Sequence, residues 1–238
     1  MQLLECTLPT AAGNVALDEA LLCEAEDAGP DAEVLRLWES PQLMVVLGRS
    51  SKAREEARLD VCRRLGAPVV RRSSGGGAIL AGPGCLMYAV VLSLEKRPAL
   101  RAIDQAHRFV LRRIAAALQP LCDAAPGGTS DLVLGDRKVS GNSMRRRRTH
   151  LLYHGTLLYD LPLERVGEFL SPPPRQPAYR GGRDHASFLA NLPLKAPQLR
   201  DALRRAWQAD EVRAAWPTER VRRLVAQRYG NDAWMLRH

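Results

Sequence analysis

Three consecutive glycines, Gly75–Gly77, follow two arginines and two serines in the stretch RRSSGGGAIL at residues 71–80. A run of three glycines interrupts regular structure, because glycine loses more backbone entropy on folding than any other residue. The run therefore predicts a loop between the apolar stretches on either side. Such a loop can be a plain turn, or it can let bare backbone N–H groups and the flanking Arg71 and Arg72 approach an anion. Neither of the common glycine-rich nucleotide motifs, G-x-x-x-x-G-K-[ST] and G-x-G-x-x-G, matches this stretch.

The stretches around this loop carry helix and strand patterns in alternation. Apolar residues at helical spacing follow a candidate N-cap at Asn14 and stop at Gly29, which predicts a helix. Short apolar runs predict strands, the first two of them paired with each other, and Gly135 with Asp136 predicts a hairpin turn. The predicted helices cover 13–29, 51–66, 99–121, 199–208 and 218–227, and the predicted strands cover 33–40, 42–48, 68–72, 85–94, 131–135, 137–144 and 150–160.

These elements predict one folded unit. No internal repeat or convincing linker interrupts them, and 238 residues can bury an ample core without a metal or a disulfide. We expect a single α+β domain over residues 1–238, with a mixed, mainly antiparallel sheet flanked by helices and a helical C-terminal segment at about 197–238. Residues 171–185, SPPPRQPAYRGGRDH, are too rich in proline and glycine for regular structure and predict a mobile loop.

The cysteine pattern and the hydropathy narrow the class of protein. The five cysteines are scattered, odd in number and form no C-x-x-C pair, which is typical of reduced thiols and not of a disulfide framework or a zinc site. No basic N-terminal segment leads into an apolar run, and no stretch of about 18 apolar residues occurs. We therefore expect a cytoplasmic protein without a membrane span or a resident metal.

The net charge of +9 favours acidic partners, and arginine supplies most of the excess. The strongest basic run is MRRRRTH at residues 144–150. Nucleic-acid binding would account for it, but no aromatic residue for base stacking lies within the run. The alternatives are a solvated hairpin tip and a docking patch for an acidic protein, where charge complementarity would speed encounter.

Two further motifs carry candidate chemistry. In SDLVLGDRKVSGNS, residues 130–143, Lys138 lies in a predicted strand whose alternation places it with Asp136 and Ser140. A lysine held there is a compact charge suited to a phosphate or a developing oxyanion, although an edge-strand lysine more often only discourages aggregation. In YHGTLLYD, residues 153–160, His154 precedes a glycine, and a lone histidine is more often structural than catalytic.

Taken in order, these motifs resemble the lipoate–protein ligase A and octanoyltransferase family. RRSSGGGA matches the family pattern R-R-x-S-G-G-G-A, SDLVLGDRKVSG matches D-L…K-V-S-G, and HGTLL matches H-G-T-L-L. VVLGR, at residues 45–49, also falls where the family has a similar strand end. The resemblance runs from about residue 14 to 192 and implies the biotin/lipoyl ligase fold, a class II synthetase-like catalytic domain.

The resemblance implies roles for the motif residues. Lys138 would contact the reactive acyl carbonyl and the phosphate, Asp131 would lie near the nucleotide or its metal, and His154 with Gly155 would shape the pocket wall. The residues expected to bind the acyl-adenylate are Arg71, Arg72, Ser74, Gly75, Gly76, Gly77, Ala78, Asp131, Ser140, Gly141, His154, Gly155 and Thr156. The substrates would be ATP with Mg²⁺ and lipoate or octanoate, with biotin not excluded.

The sequence also departs from the family pattern. Many ligases follow the glycines with His-Asp and then Gly-Asn, whereas here Ala81 and Gly82 replace the first pair and Cys85 stands where asparagine is common. These differences concern the contacts to the acyl or nucleotide end of the ligand. The small C-terminal accessory domain of many ligases is also missing from these residues, so either a partner polypeptide supplies it or the reaction does without it.

Two reactions remain open at this point. A ligase would form an acyl-AMP from lipoate or octanoate and ATP, and a lysine of a lipoyl-acceptor domain would then attack it. An octanoyltransferase would take the acyl group from an acyl-carrier-protein thioester through a cysteine thiolate. Cys85 is the cysteine beside a family motif and the candidate nucleophile, although a small buried strand residue is the commoner role for such a position. We place the ligase first.

Overall fold

The structure is a computed structural model that describes all residues, 1–238, and it contains two β-sheets. The strands are β1 (Gln2–Glu5), β2 (Val34–Trp38), β3 (Met44–Leu47), β4 (Val69–Arg71), β5 (Ile79–Ala81), β6 (Cys85–Ser93), β7 (Ala124–Gly127), β8 (Asp131–Leu134), β9 (Arg137–Arg146), β10 (His150–Leu158) and β11 (Glu211–Val212).

Nine α-helices cover these sheets, and the two longest are α1 and α4. The helices are α1 (Ala11–Ala28), α2 (Ala53–Glu56), α3 (Leu59–Arg64), α4 (Ile103–Leu118), α5 (Val166–Phe169), α6 (His185–Phe188), α7 (Ala196–Trp207), α8 (Thr218–Leu224) and α9 (Asp232–Met235). Short 3₁₀ turns occur at Pro98–Arg101, Leu163–Arg165 and Ala178–Arg180, and a π-helical turn at Val225–Tyr229 follows α8. None of the helices combines the length and the apolar character needed to cross a lipid bilayer.

The larger sheet has eight strands in the order β11-β1-β2-β6-β10-β9-β8-β7, and the smaller sheet has the order β4-β3-β5. In the larger sheet β1 pairs in parallel with β11 and β2, and every other neighbouring pair is antiparallel. The predicted fold class, α+β with a mixed, mainly antiparallel sheet flanked by helices, is confirmed. The predicted hairpin is also present, since Gly135 takes a φ of +61° between β8 and β9.

Two apolar cores lie on opposite faces of the large sheet. One core packs α1 and the small sheet against alternate residues of β6 and β10, and it includes Leu17, Val46 and Leu152. The other packs α4 and α7 against the remaining alternate residues of the same strands. Both faces of β6 are therefore buried, which explains why its sequence is a continuous apolar run without alternation.

Three predictions, of a strand pairing, a helix and an N-cap, were wrong because contacts with other parts of the chain decide these features. The predicted strands at 33–40 and 42–48 do not pair with each other, because β2 joins the large sheet and β3 joins the small one. The predicted helix at 51–66 breaks into α2 and α3, because Ala57 bridges Leu170 and the backbone N–H of Arg58 donates to the Phe169 carbonyl oxygen. The N-cap of α1 is Thr10, not Asn14, whose side chain instead bonds the main chain of Leu8.

Candidate active site

A cavity of about 230 Å³ opens between the small sheet, β9 and β10, and the late segment, a name used here for residues 171–189. Part of its wall is apolar and comes from α1, from both sheets and from α5 with its flanking residues: Val15, Trp38, Val46, Leu80, Met87, Leu158, Leu161, Val166 and Leu170. The polar part comes mainly from the glycine-rich loop (residues 71–78), from β8 and β9, and from the late segment. A pocket of this composition suits a ligand with an apolar chain and a polar head.

Bare main chain of the glycine-rich loop forms one side of the cavity. A Cβ atom added to Gly48 would lie 1.7 Å from the carbonyl oxygen of Gly76, so two stretches of backbone touch where only glycine fits. Gly76 itself takes a φ of +86°. The carboxylate of Glu56, at the end of α2, accepts hydrogen bonds from the Ala78 N–H at 2.8 Å and the Ser51 hydroxyl at 3.0 Å. The loop is therefore held from behind, with the main chain of residues 76–78 in the cavity wall.

Arg71 does not face the cavity, which departs from the expected ligand contact. Its guanidinium is fully buried and donates to the carbonyl oxygens of Gly48, Arg49, Ser51, Trp234 and Met235. The indole N–H of Trp234 returns a hydrogen bond of 2.9 Å to the carbonyl oxygen of Arg71. Arg71 thus joins the glycine-rich loop to the C-terminal helix α9, and its charge has no contact left for a phosphate.

Arg72 reaches the cavity wall, but its donors are occupied as well. They bond the carbonyl oxygens of Val46, Gly75 and Gly77 and the hydroxyl of Ser74. Burial lowers the pKa of Arg72 to about 10, with Glu56 opposing the shift and Arg71 adding to it, so the side chain remains a cation at neutral pH. Its main role in the structure is to shape the loop.

A buried row of side chains connects α1, β10 and the glycine-rich loop. Arg36 Nη1 lies 2.6 Å from Asp18 Oδ1, Asp18 Oδ2 lies 2.9 Å from His154 Nδ1, and His154 Nε2 lies 2.6 Å from Ser74 Oγ. Ser74 already accepts from Arg72, so its hydroxyl proton is free to donate to His154 Nε2, which leaves the ring proton on Nδ1 toward Asp18. His154 lines the cavity and Ser74 does not, so this serine–histidine–aspartate row positions the loop and offers no exposed nucleophile.

Lys138 faces the cavity from β9 and pairs with Asp131 on β8. The Nζ–Oδ1 distance is 2.8 Å, and the other oxygen of Asp131 accepts a 2.7 Å hydrogen bond from the Tyr179 hydroxyl. A Cβ atom on Gly141 would lie 2.9 Å from Lys138 Nζ, so a larger residue at this position would displace the ammonium group. Simple alternation predicted Asp136 as the neighbouring acid. The strand register shifts by one residue beside Lys138, and Asp136 instead pairs with Arg183.

The structure brings most of the predicted site residues to one cavity. Those in its wall are Arg72, Gly76, Gly77, Ala78, Asp131, Lys138, Gly141, His154, Gly155 and Thr156. Arg71, Ser74, Gly75 and Ser140 lie outside the wall. The candidate nucleophile Cys85 also lies outside it: the residue is 0% exposed, and burial with the nearby Glu39 carboxylate raises the pKa of its thiol to about 12.

Several wall residues were missed at the level of the sequence. Asp18 could have been suspected, because an acid inside the apolar face of a helix must find a buried partner. Trp38, 1% exposed and with an indole N–H that has no partner, could have been found only from its place at the end of β2. Glu56 gave no local signal, because only tertiary contacts bring it to the cavity, whereas Asn142 lies within the motif at residues 130–143 and Arg180 within the proline- and glycine-rich stretch at residues 171–185.

The family follows from comparison with known sequences. A sequence model of the lipoyl protein ligase A/B catalytic domain matches residues 10–219, and the chain belongs to this family. Lipoate-protein ligase A of Psychrobacter cryohalolentis is 30% identical over 164 residues, which are 68% of this chain and 46% of that protein. Octanoyltransferase LipM of Carboxydothermus hydrogenoformans is 25% identical over 96% of this chain and 95% of that protein. The chain thus spans about half the length of the ligase relatives it matches.

Solved structures share the fold. A protein from T. acidophilum with bound lipoic acid superposes with a TM-score of 0.85 at 22% identity, covering 100% of this chain and 99% of that one. A lipoate-protein ligase A bound with ATP gives a TM-score of 0.85 at 22% identity, with coverage of 99% and 98%. A bi-partite lipoate protein ligase from Thermoplasma acidophilum, described with its E2 lipoyl domain, gives 0.84 at 23% identity, with coverage of 99% and 95%. At these identities the likeness concerns the fold.

Proposed function

We propose that the protein activates lipoate or octanoate with ATP and transfers the acyl group to a lysine of a lipoyl-acceptor domain. The observation that carries the proposal is the convergence of the triglycine main chain, Lys138 and an apolar wall on a single cavity. Each part corresponds to one part of an acyl-adenylate: the apolar wall to the acyl chain, the bare backbone to the phosphate, and the ammonium to the reacting carbonyl. The relatives named lipoate-protein ligase and the fold shared with ligases that bind lipoic acid or ATP support it.

The proposed chemistry has two steps. The substrate carboxylate attacks the α-phosphorus of ATP, a P–O bond to the pyrophosphate breaks, and the acyl-AMP remains in the cavity. The acceptor lysine then attacks the acyl carbon, its amide bond forms with loss of a proton, and AMP leaves. Lys138 offsets charge on the phosphate in the first step and on the tetrahedral oxyanion in the second, while the apolar wall limits the access of water to the mixed anhydride.

The polar part of the wall offers one candidate ligand beside Lys138 for the Mg²⁺ of a nucleotide. Asp131 is the carboxylate beside Lys138, and Mg²⁺ in such sites binds one or two carboxylates together with substrate phosphates. In this proposal Mg²⁺ would arrive with ATP and be held mainly by phosphate oxygens, and Asp131 would be the side chain that shares it. The ion would supply charge neutralisation on the phosphates.

The proposed partner is an acidic lipoyl-acceptor domain. The turn between β9 and β10 exposes Arg146, Arg147 and Arg148, although Arg147 also pairs with Glu26 of α1. Charge complementarity at this tip would accelerate encounter and would weaken with added salt.

The second candidate is an octanoyltransferase, which the nearly full-length match to LipM favours. The cysteine geometry favours the ligase, because a thiol nucleophile must be reachable and activated, whereas Cys85 is sealed and its pKa is raised. We therefore keep adenylation as the first proposal.

The test uses the full chain with lipoate, MgATP and a lipoyl domain. We expect release of pyrophosphate and a mass increase on the acceptor lysine. The ranking would reverse if ATP supported no turnover while octanoyl-carrier protein donated its acyl group and Cys85→Ala abolished that transfer.

Substitution of Lys138 tests the residue assignment. We expect Lys138→Ala to lower kcat for acyl transfer by about 100-fold or more, the usual cost of removing one group that stabilises an oxyanion. The matched control is Lys96→Ala, which removes a surface lysine paired with the exposed Asp31. Circular dichroism and single-turnover kinetics check the fold and the rate, and a Lys138→Ala variant that keeps its activity would remove this residue from the mechanism.

A further inference from the structure

The late segment contributes an arginine whose terminal nitrogens have no partner in the protein. Four arginine or lysine side chains form part of the cavity wall: Arg72, Lys138, Arg175 and Arg180. Arg72 is occupied by carbonyl oxygens and Lys138 by Asp131, as described above. Arg175 is exposed to solvent, whereas Arg180 is 4% exposed. Of the four, Arg180 is the buried one whose terminal nitrogens have no hydrogen-bond acceptor in the protein.

The contacts of Arg180 explain how its guanidinium is oriented. Its Nε donates a 2.8 Å hydrogen bond to the carbonyl oxygen of Arg183, and its Cζ lies 4.8 Å from the centroid of the Phe188 ring, which also lines the cavity. Its two terminal nitrogens make no hydrogen bond and no ion pair within the chain. Burial lowers the pKa of Arg180 despite the nearby Asp184, but an arginine keeps its charge at neutral pH.

The terminal nitrogens of Arg180 are not sealed inside the protein, and the residue lines the cavity, so these donors remain free to meet a ligand there. The planar fork of arginine matches the oxygen atoms of a phosphate or carboxylate in a bidentate manner. The cavity wall itself offers no free carboxylate for this arginine. Its carboxylates, Asp18, Glu56 and Asp131, are already bonded to other residues. An anionic ligand is therefore what this side chain lacks.

The position of Arg180 points to the nucleotide and not to the acyl chain. Its neighbour Tyr179 donates to Asp131, whose other oxygen contacts Lys138, so the segment is anchored beside the proposed reaction centre. Arg183 binds Asp136 at 2.8 Å and the carbonyl oxygen of Tyr179 at 2.9 Å, which fixes the same turn from its other side. These contacts place Arg180 on the polar wall that Lys138 and Asp131 share.

We propose that Arg180 is a phosphate-binding residue whose terminal guanidinium nitrogens contact a phosphate group of the nucleotide bound in the cavity. This inference rests on the proposed function. It assigns to the late segment the charge that Arg71 and Arg72 cannot supply, because their donors are occupied by the main chain.

The experiment measures binding of MgATP and, separately, of lipoate to the full chain by isothermal titration calorimetry. We expect Arg180→Gln to weaken MgATP binding by about 10-fold to 100-fold, the range for lost hydrogen bonds to a charged group, and to change lipoate binding by no more than about twofold. Arg180→Lys keeps the positive charge but loses the planar guanidinium group, so its MgATP affinity should lie between those of Arg180→Gln and the unchanged protein. The matched control is Arg204→Gln, an exposed arginine of α7 that is paired with Asp210 and lies outside the cavity wall, and it should bind MgATP within about threefold of the unchanged protein.

Three results would overturn the inference. MgATP affinity in Arg180→Gln equal to that of the unchanged protein would show that Arg180 makes no phosphate contact. Parallel loss of MgATP and lipoate binding in Arg180→Gln and Arg180→Lys would indicate a general role in cavity structure. Absence of MgATP binding to the unchanged protein would remove this inference and the proposed function together, whereas either of the first two results leaves the proposed function standing.

Discussion

The glycine-rich loop and the late segment both border the cavity, but they use their arginines in opposite ways. In the glycine-rich loop, Arg71 and Arg72 donate to main-chain carbonyl oxygens and to Ser74, and they hold the loop in shape. In the late segment, Arg180 is buried and its terminal nitrogens have no partner. In the glycine-rich loop, which matches a sequence motif, the arginines stabilise the main chain. In the late segment, which has little regular structure, the terminal nitrogens of an arginine stay unpaired.

The comparison shows that a basic residue beside a run of glycines can serve the loop itself and not a ligand. A glycine-rich loop exposes many carbonyl oxygens as well as N–H groups, and buried carbonyl oxygens need donors. A guanidinium with five donors in a fixed fork satisfies several of them at once. Arginines next to such a loop are therefore natural structural partners of the loop itself, and charge for a ligand can come from another part of the chain.

The largest expected effect follows from removing Arg71. We expect Arg71→Gln to lower the free energy of unfolding by about 4 kcal/mol, because several buried carbonyl oxygens lose their donor and the link to α9 is broken. Urea unfolding measures the change, with Arg64→Gln on the exposed surface of α3 as the control that should change little. A loss below about 1 kcal/mol would mean that the loop does not depend on this residue.

The next effect concerns the charged row that supports the loop. Burial opposes the charged form of Asp18, but the Arg36 guanidinium and the hydrogen bond with His154 outweigh it and lower the pKa of this carboxyl group from 3.8. Stabilisation by Asp18 is thus complete above pH 3.8 and is lost as the pH falls through the lowered value in the folded state. We expect Asp18→Asn to lower the free energy of unfolding by about 3 kcal/mol at neutral pH.

The pH dependence separates this role from simple packing. The difference in unfolding free energy between the unchanged protein and Asp18→Asn should shrink as the pH falls below the ordinary value of 3.8, because the unchanged protein then loses the same charge. Urea unfolding of both proteins at a series of pH values measures this difference. A difference that stays constant into strong acid would assign the cost to shape and not to charge.

Two glycine-to-alanine substitutions test the close backbone contact beside the glycine-rich loop, with a smaller expected effect on stability. Gly48→Ala would push a Cβ atom against the Gly76 carbonyl oxygen, and we expect it to destabilise the protein by about 2 kcal/mol and to impair adenylation. Gly75→Ala meets nothing within 4 Å and should stay within about 0.5 kcal/mol. Thermal unfolding and pyrophosphate release measure both. Equal effects of the two substitutions would contradict the close backbone contact.

The smallest effect tests the anchoring of the late segment. Tyr179→Phe removes one hydrogen bond to Asp131, worth about 1 kcal/mol, and should weaken MgATP binding by about fivefold while lipoate binding stays the same. Tyr159→Phe is the matched control, since the Tyr159 hydroxyl also donates to a carboxylate, Glu39, but lies outside the cavity wall. Unchanged MgATP affinity in Tyr179→Phe would show that the segment keeps its position without this contact.

Elements with a strong local period could be predicted from the sequence. The apolar run of β6 and the helical spacing of α4 fall close to their predicted bounds, since periodicity and burial on one or two faces are properties of the segment itself. The membership of β2 and β3 in different sheets could not be predicted in this way. Sheet membership depends on partners far along the chain, and both strands look alike as short apolar runs.

The amino-acid sequence by itself determined the fold class, the glycine-rich loop and the choice of Lys138, because these follow from spacing, conformational entropy and motif order within short stretches. Tertiary structure decided which charges remain available. It paired Lys138 with Asp131 in place of Asp136, occupied Arg71 with the main chain of two distant segments, and buried Arg180 with its terminal nitrogens unpaired. The physical reason is that a hydrogen-bond donor is satisfied by whatever acceptor the fold brings within about 3 Å, and that distance is not encoded in any short stretch of sequence.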